Sequence, residues 1–179
     1  MVDRRSFLRG TSVLMAHASF AQVLATFAAH SAQGATAFKP TFFSPVEMQR
    51  IGVLVDMILP ETDSPSATQA ATHEFIDAAM SMCATTKQQT TFRAGLDALA
   101  RDGFDSMSSA ARNEWLSRRA QADVALPYDD SFFKILKDYT LTGYFHSEIG
   151  ATQALAYERV PGGFQGDIPL AANQKAWAI

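Results

Sequence analysis

Cysteine occurs once in the 179 residues, at Cys83, so no disulfide can close within the chain. There is no Cys-x-x-Cys-His run to attach a c-type haem and no cysteine cluster for zinc or an iron–sulfur centre, which excludes electron transfer through thiolate-held metal in this chain. Basic residues are also in short supply: 15 Lys and Arg stand against 18 Asp and Glu, a net charge of −3. Nucleic-acid binding draws on clustered Lys and Arg, so that balance argues against it and against docking on anionic lipid. No Gly-x-Gly-x-x-Gly or P-loop is present to cradle a phosphate, and no Gly-x-Ser-x-Gly elbow to present a nucleophile. Alternation of period two is missing, which leaves no candidate strand. A long clean apolar run is missing too. From Gly10 to Ala29 the chain is mostly Val, Leu, Met, Phe and Ala, but His17, Ser19 and Gln22 interrupt it. A permanent membrane span needs about 20 predominantly apolar residues, so this stretch suits a signal peptide better.

What is present begins with an address. Arg4, Arg5 and Arg9 make a basic start, the apolar stretch follows, and Ala35-Thr36-Ala37 is a small-residue cleavage site. The adjacent arginines followed by Phe7 and Leu8 have the pattern of a twin-arginine signal, which is read by a receptor and marks export in the folded state; the alternative is an ordinary secretory signal that happens to hold two arginines. Setting residues 1–37 aside leaves 142 of the 179 residues, enough for one domain with a real core. Without Arg4, Arg5, Arg9 and Asp3 that domain holds 12 basic and 17 acidic residues, a net −5.

Residues 38–149 read as helices with short breaks. Ser44-Pro45-Val46-Glu47 is a capping box with proline at the first helical position, followed by Met48, Ile51, Leu54, Val55, Ile58 and Leu59 on one helical stripe, until Pro60 stops it. After the turn-rich "PETDSPS" at 60–66, a second helix is expected from about 66 to 83, burying Phe75, Ile76, Met80 and Cys83. A third is expected over about 86–101, burying Phe92, Leu96 and Leu99 before Gly103. The fourth starts near Ser108, carries Ala111, Trp115 and Leu116, and ends before Pro127. The fifth starts at Asp129-Asp130-Ser131 and carries Phe132, Ile135, Leu136, Tyr139 and Phe145. The fold class is therefore all-α, a compact bundle of about five helices. Periodicity fades over 150–179, where "ERVPGGFQGDIPLAANQ" collects Gly and Pro among Tyr157, Val160, Phe164, Ile168, Leu170 and Trp177. That composition predicts an irregular C-terminal arm packed on its own bundle, on a partner, or on both.

Two histidine patterns invite metal chemistry. His73-Glu74-Phe75-Ile76-Asp77 resembles His-Glu-x-x-His with Asp77 in place of the second histidine, and a stand-alone metal-dependent enzyme would use these three side chains. No third protein ligand besides His73 and Asp77 is identifiable, and the same residues read otherwise as the wet face of the second helix. His146-Ser147-Glu148 has the His-x-Glu of zinc deaminases without their Pro-Cys-x-x-Cys, which returns it to a helix C-terminus. Cys83 lies on an apolar helix side, where a lone thiol serves packing. No catalytic, cofactor-binding or metal-binding residue is assigned.

"ILPETDSPSA" at 58–67 together with "TGYFHSEIGATQALAYERVPGGFQGDIPL" at 142–170 resembles the gluconate 2-dehydrogenase subunit 3 family, of which a twin-arginine start is also typical. The family commonly has Thr-Pro-Gly where this chain has Ser64-Pro65-Ser66. The resemblance implies a non-catalytic accessory subunit that assembles with a large flavoprotein of the glucose-methanol-choline type, and in some complexes with a c-type cytochrome. FAD would reside in the large subunit and haem c in the third, with neither in this chain. The large subunit would oxidise a sugar, sugar acid or glycoside in the periplasm, with the complex held at or near the membrane. Arg4, Arg5, Phe7 and Leu8 would be read by the twin-arginine machinery and carry the flavoprotein out with this chain. Tyr144, Phe145, Glu148, Tyr157, Pro161, Phe164 and Ile168 would form the partner interface, a mixture of aromatic anchors and a charge; Tyr144 and Phe145 read equally as bundle core and the rest as its lid. A transient periplasmic adapter or chaperone is the remaining alternative.

Overall fold

The computed structural model describes residues 38–158, 160, 162, 167, 169, 172 and 174–178. The export residues Arg4, Arg5, Phe7 and Leu8, and the interface candidates Pro161, Phe164 and Ile168, lie outside them. Among the described residues five α-helices make the bundle: α1 (Pro45–Ile58), α2 (Thr72–Met82), α3 (Thr86–Arg101), α4 (Ser109–Ala122) and α5 (Phe132–Phe145). No strand occurs among the described residues, only an isolated parallel bridge between Ala156 and Trp177.

Local chemistry sets most of the ends. At α1 the Ser44 hydroxyl accepts from the Glu47 amide at 3.3 Å while the Glu47 carboxylate accepts from the Ser44 amide at 2.8 Å, so two otherwise orphaned donors are satisfied reciprocally. Thr85 and Gln88 do the same for α3, and Ser108 caps α4. Beyond α3, Gly103 takes φ 73°, a left-handed turn that glycine enters without steric cost, and the chain passes through a single 3-10 turn, Phe104–Ser106.

Two starts differ from the sequence expectation. α2 begins at Thr72 and not near 66, because Ala71 sits at φ 53°, a left-handed conformation that costs an alanine about 1–2 kcal/mol. Asp56 of α1 holds the preceding turns in place, accepting from the Thr68 amide at 2.8 Å and the Thr68 hydroxyl at 2.6 Å. α5 begins at Phe132 with Ser131 as its cap, and Tyr128–Asp130 forms a separate 3-10 turn. The cap is tied inward as well: Ser131 donates its hydroxyl proton to the buried Asp123 carboxylate, which also accepts from the Phe133 amide and pairs with Arg119.

α5 is the central helix, in contact with α1, α2, α3 and α4. Its approach to α3 and α2 is close because glycine stands at both crossings. A Cβ on Gly95 would lie 2.2 Å from the Phe132 ring, and one on Gly143 would lie 2.6 Å from the ring of Phe75. Phe132 thereby reaches Phe92, which in turn meets Phe43 ahead of α1, in a run of aromatic contacts at 5.2 and 5.4 Å. Gly95→Ala is expected to destabilise the protein by about 1–3 kcal/mol, since overpacking outweighs the gain of about 1 kcal/mol in helix propensity. Gly52→Ala should do the opposite, because its Cβ would meet only the Thr68 methyl at 3.6 Å. Thermal melts of the two variants check the pair; equal shifts would mean that the α3–α5 crossing is not tight.

After α5 the chain makes a π-helical turn, Gly150–Ala154. The Ala156 amide then donates to the Ala176 carbonyl at 2.8 Å, the Ala178 amide donates to the Ala156 carbonyl at 2.9 Å, and Lys175 reaches the Gln153 carbonyl. The end of the arm thus returns to its own beginning.

Candidate functional site

Asp77 is the most heavily engaged of the side chains singled out from sequence. It is 1% exposed, not on a wet helix face, which corrects that expectation. Its carboxylate accepts from the backbone amides of Thr41 (2.7 Å), Phe42 (3.0 Å) and Phe43 (2.8 Å), and from the Thr41 hydroxyl (2.8 Å). Three consecutive amides turned onto one carboxylate form a concave anion site, here filled by a group of the same chain. Arg93 closes the outside, donating to the Phe42 carbonyl at 2.7 Å with its guanidinium 4.3 Å from the centre of the Phe42 ring. The segment just ahead of α1 is therefore clamped onto α2 and α3.

With both carboxylate oxygens of Asp77 so occupied, the His73-Glu74-Asp77 trio is not arranged to hold a metal, and no group of three or more potential ligands converges among the described residues. His73 is half-buried and its Nδ1 has no hydrogen-bond partner. Burial holds the imidazole below the usual histidine range, with the Asp56 carboxylate pulling the other way. A base whose folded-state affinity for protons is lowered is neutral in the fold and takes a proton more readily when unfolded. Its contribution is therefore lost as pH falls below the unfolded value of about 6.5. The loss of melting temperature from about pH 7 to about pH 5 should be smaller in His73→Leu than in the wild type. Parallel profiles would remove His73 as the cause.

His146-Ser147-Glu148 is a helix terminus. The His146 ring nitrogen Nδ1 lies 2.8 Å from the Thr142 carbonyl and Ser147 donates its hydroxyl to the Tyr144 carbonyl at 2.7 Å, so each side chain adds to a carbonyl of the last turn of α5 that already accepts a backbone amide. Cys83 is half-buried, and burial pushes its thiol pKa up, away from the reactive thiolate.

The interface candidates divide. Tyr144 is buried, and its hydroxyl donates to the Pro65 carbonyl at 2.7 Å, pinning the α1–α2 connector to α5. Phe145 is half-buried edge-on to Tyr144 at 5.2 Å between centroids. Glu148 is exposed, Tyr157 is 57% exposed just after the Ala156–Trp177 bridge, and Val160 and Trp177 are exposed as well.

Sequence reading missed a second apolar surface, the α4–α5 loop. Val124, Leu126 and Tyr128 are exposed there while the backbone beneath them is braced: Lys134 donates to the carbonyls of Val124 (2.9 Å) and Leu126 (2.7 Å). The Tyr128 hydroxyl donates to Asp138 at 2.7 Å, and burial together with that carboxylate drives its pKa up. Apolar residues at irregular spacing in a loop carry no periodic signal; the Pro127 and Asp129-Asp130 punctuation marked the loop but not its exposed side chains. A shallow cleft of about 490 Å³ lies between α3 and α4, lined by Asp102, Met107, Trp115, Arg118 and Arg119, with the Trp115 indole donating to Asp102 at 2.7 Å.

Compared with known protein families, the chain matches the one described as gluconate 2-dehydrogenase subunit 3 over residues 45–162, from the first residue of α1 to beyond the π-helical turn. No curated protein and no solved structure matches it.

Proposed function

Because this chain belongs to the gluconate 2-dehydrogenase subunit 3 family, we propose that it is the non-catalytic small subunit of a periplasmic dehydrogenase complex. It binds a large flavoprotein of the glucose-methanol-choline type and takes that subunit through the twin-arginine route. FAD sits in the large subunit and accepts a hydride from a CH–OH group of a sugar, sugar acid or glycoside. In complexes that include it, a c-type cytochrome takes the electrons onward. The observation that carries this reading is the family match across the bundle and beyond the π-helical turn.

The engagement of the polar groups supports it. A pyrophosphate is commonly received at an open helix N-terminus behind a glycine-rich loop. Here Ser44, Thr85, Ser108 and Ser131 fill the N-termini of α1, α3, α4 and α5 with their own hydroxyls. Asp56, Asp77 and Asp123 are committed to backbone amides and hydroxyls of the same chain. Such residues build a scaffold. The proposed contact with the flavoprotein uses Phe145, Glu148 and Tyr157, with Pro161, Phe164 and Ile168 assigned to it from the sequence; Tyr144 is left out because its ring and hydroxyl serve the core.

The test is co-expression of this chain with the genes beside it, followed by purification through a tag on this chain. A co-purifying large subunit, a flavin absorbance spectrum and dye reduction with sugar substrates are the expected result. A colourless lone chain would return the argument to a free adapter.

A further inference from the structure

From Val124 to Tyr128 the consecutive residues Val-Ala-Leu-Pro-Tyr are all exposed, Val124 to 70%, and none carries a charge. A slack loop of this composition would fold its apolar side chains inward, but the main chain here is fixed. The Lys134 ammonium donates to the Val124 and Leu126 carbonyls, and the Leu126 amide donates to the Asp123 carbonyl at 3.1 Å. The amides of Asp130 and Ser131 donate to the carbonyls of Pro127 and Tyr128. With those backbone groups taken, the loop offers side chains, which disfavours strand addition as its mode of contact. The order that a complex would demand of it is already present, so binding through it costs little further entropy.

The α3–α4 cleft borders this loop. Ala122 on the cleft wall is two positions from Val124, a reach of at most about 7 Å. Trp115 is locked in the cleft, edge-on to Phe104 at 5.9 Å, with its indole N–H occupying the Asp102 Oδ2. Arg118 and Arg119 line the same cleft. Arg119 pairs through Nε with Asp123 at 3.1 Å and Arg118 approaches Glu114 only to 3.8 Å, so the terminal nitrogens of both make no hydrogen bond among the described residues. Two guanidiniums on one cleft repel each other, and a carboxylate between them relieves that repulsion while its two oxygens match their forked donors.

We propose that the uncharged α4–α5 loop and the arginine cleft beside it form a second docking surface for the large flavoprotein subunit, which meets Val124 and Leu126 with an apolar recess and Arg118 and Arg119 with a carboxylate side chain. This rests on the accessory-subunit reading given above. Binding hot spots are enriched in Trp, Tyr and Arg, and Trp115, Tyr128, Arg118 and Arg119 stand together here around the apolar loop. The surface is separate from the contact assigned to Phe145, Glu148 and Tyr157. The loop precedes the first residue of α5, and those residues lie at or beyond its last, about 20 Å along the helix.

The complex is captured through a tag on this chain, from cells co-expressing it with the genes beside it, and the rate at which flavoprotein leaves the immobilised chain is followed at several salt concentrations. Val124→Gln combined with Leu126→Gln keeps the loop uncharged and leaves its Lys134 braces in place. The double variant is expected to release flavoprotein roughly thirtyfold faster or more, at an unchanged melting temperature. Arg118→Ala changes a side chain that is 68% exposed, and is expected to speed release at low salt and to flatten its salt dependence, which a merely structural role would not do. Wild-type release rates in the double variant, or an unaltered salt profile in Arg118→Ala, would overturn the proposal. Where the double variant also melts lower, the Arg118→Ala profile decides. A double variant that holds flavoprotein normally but loses self-association of the lone chain would overturn it too, since the loop would then face a second copy. A wild-type chain that captures no flavoprotein would instead remove the accessory-subunit reading, and this inference with it.

Discussion

Asp77→Ala is expected to lower the melting temperature by roughly 10 °C or more, the largest effect of any single side chain outside the apolar core. Four hydrogen bonds to a buried carboxylate disappear at once. Hydrogen bonds to charged groups contribute about 1.5–3 kcal/mol each, but they are not lost in full here. Thr41 is exposed and its amide and hydroxyl return to water, while Phe43 is 4% exposed and its amide is left buried without an acceptor. A net loss of about 3–5 kcal/mol follows, comparable to removing one partner of a buried charge pair. Phe42 and Phe43 are carried away with the backbone, which strips the Phe92 ring of its neighbour at 5.4 Å.

Ranking separates this account from a general sensitivity of α2. Asp77→Asn keeps the shape and one carbonyl oxygen but turns an amide donor towards amide donors, so it should fall between alanine and the wild type. Asp138→Ala removes the partner of the Tyr128 hydroxyl at the surface, and should cost about 1 kcal/mol or less. If Asp77→Ala melted within about 2 °C of the wild type, the segment ahead of α1 would be held by its phenylalanines alone.

The same residue shows what the sequence could not disclose. Helical stripes and caps are local, and they located the starts of α1, α3 and α4 and the end of α3, because a side-chain cap needs only residues three apart. Asp77 is served by amides 34 to 36 positions away. No spacing rule reaches that far, so a carboxylate beside His73 and Glu74 looked like a ligand or a solvated side chain. One sign was available: Asp77 precedes Met80 by three residues, which puts it on the inward side of α2. The early expectation for α2 failed for the same reason. Pro65-Ser66 reads as a helix start, yet Asp56 on the preceding helix captures Thr68 and holds residues 67–71 as turns. The aromatic identity of Tyr144 gave no direction either, since a ring with a hydroxyl suits a core or an interface until its partner, Pro65, is known.

If the pair is the twin-arginine address proposed above, replacing Arg4 and Arg5 together by lysine is expected to reduce export of this chain, and of the proposed flavoprotein partner with it, by roughly tenfold or more. The substitution keeps both positive charges, which is what makes it informative. An ordinary secretory signal asks only for a basic start, and lysine supplies it. A receptor that reads the planar, five-donor guanidinium does not accept the compact ammonium in its place. On the proposed export reading, a bundle that folds before translocation would call for a folded-state route, and so would a flavoprotein that binds its flavin beforehand. Fractionation of cells carrying the double substitution, with the flavoprotein detected by its cofactor absorbance or by antibody, checks the expectation. Flavoprotein accumulating in the cytoplasm with its flavin bound is the result that fits. Undiminished flavoprotein outside the cell membrane would mean that the large subunit carries its own address, and that this chain meets it only after export.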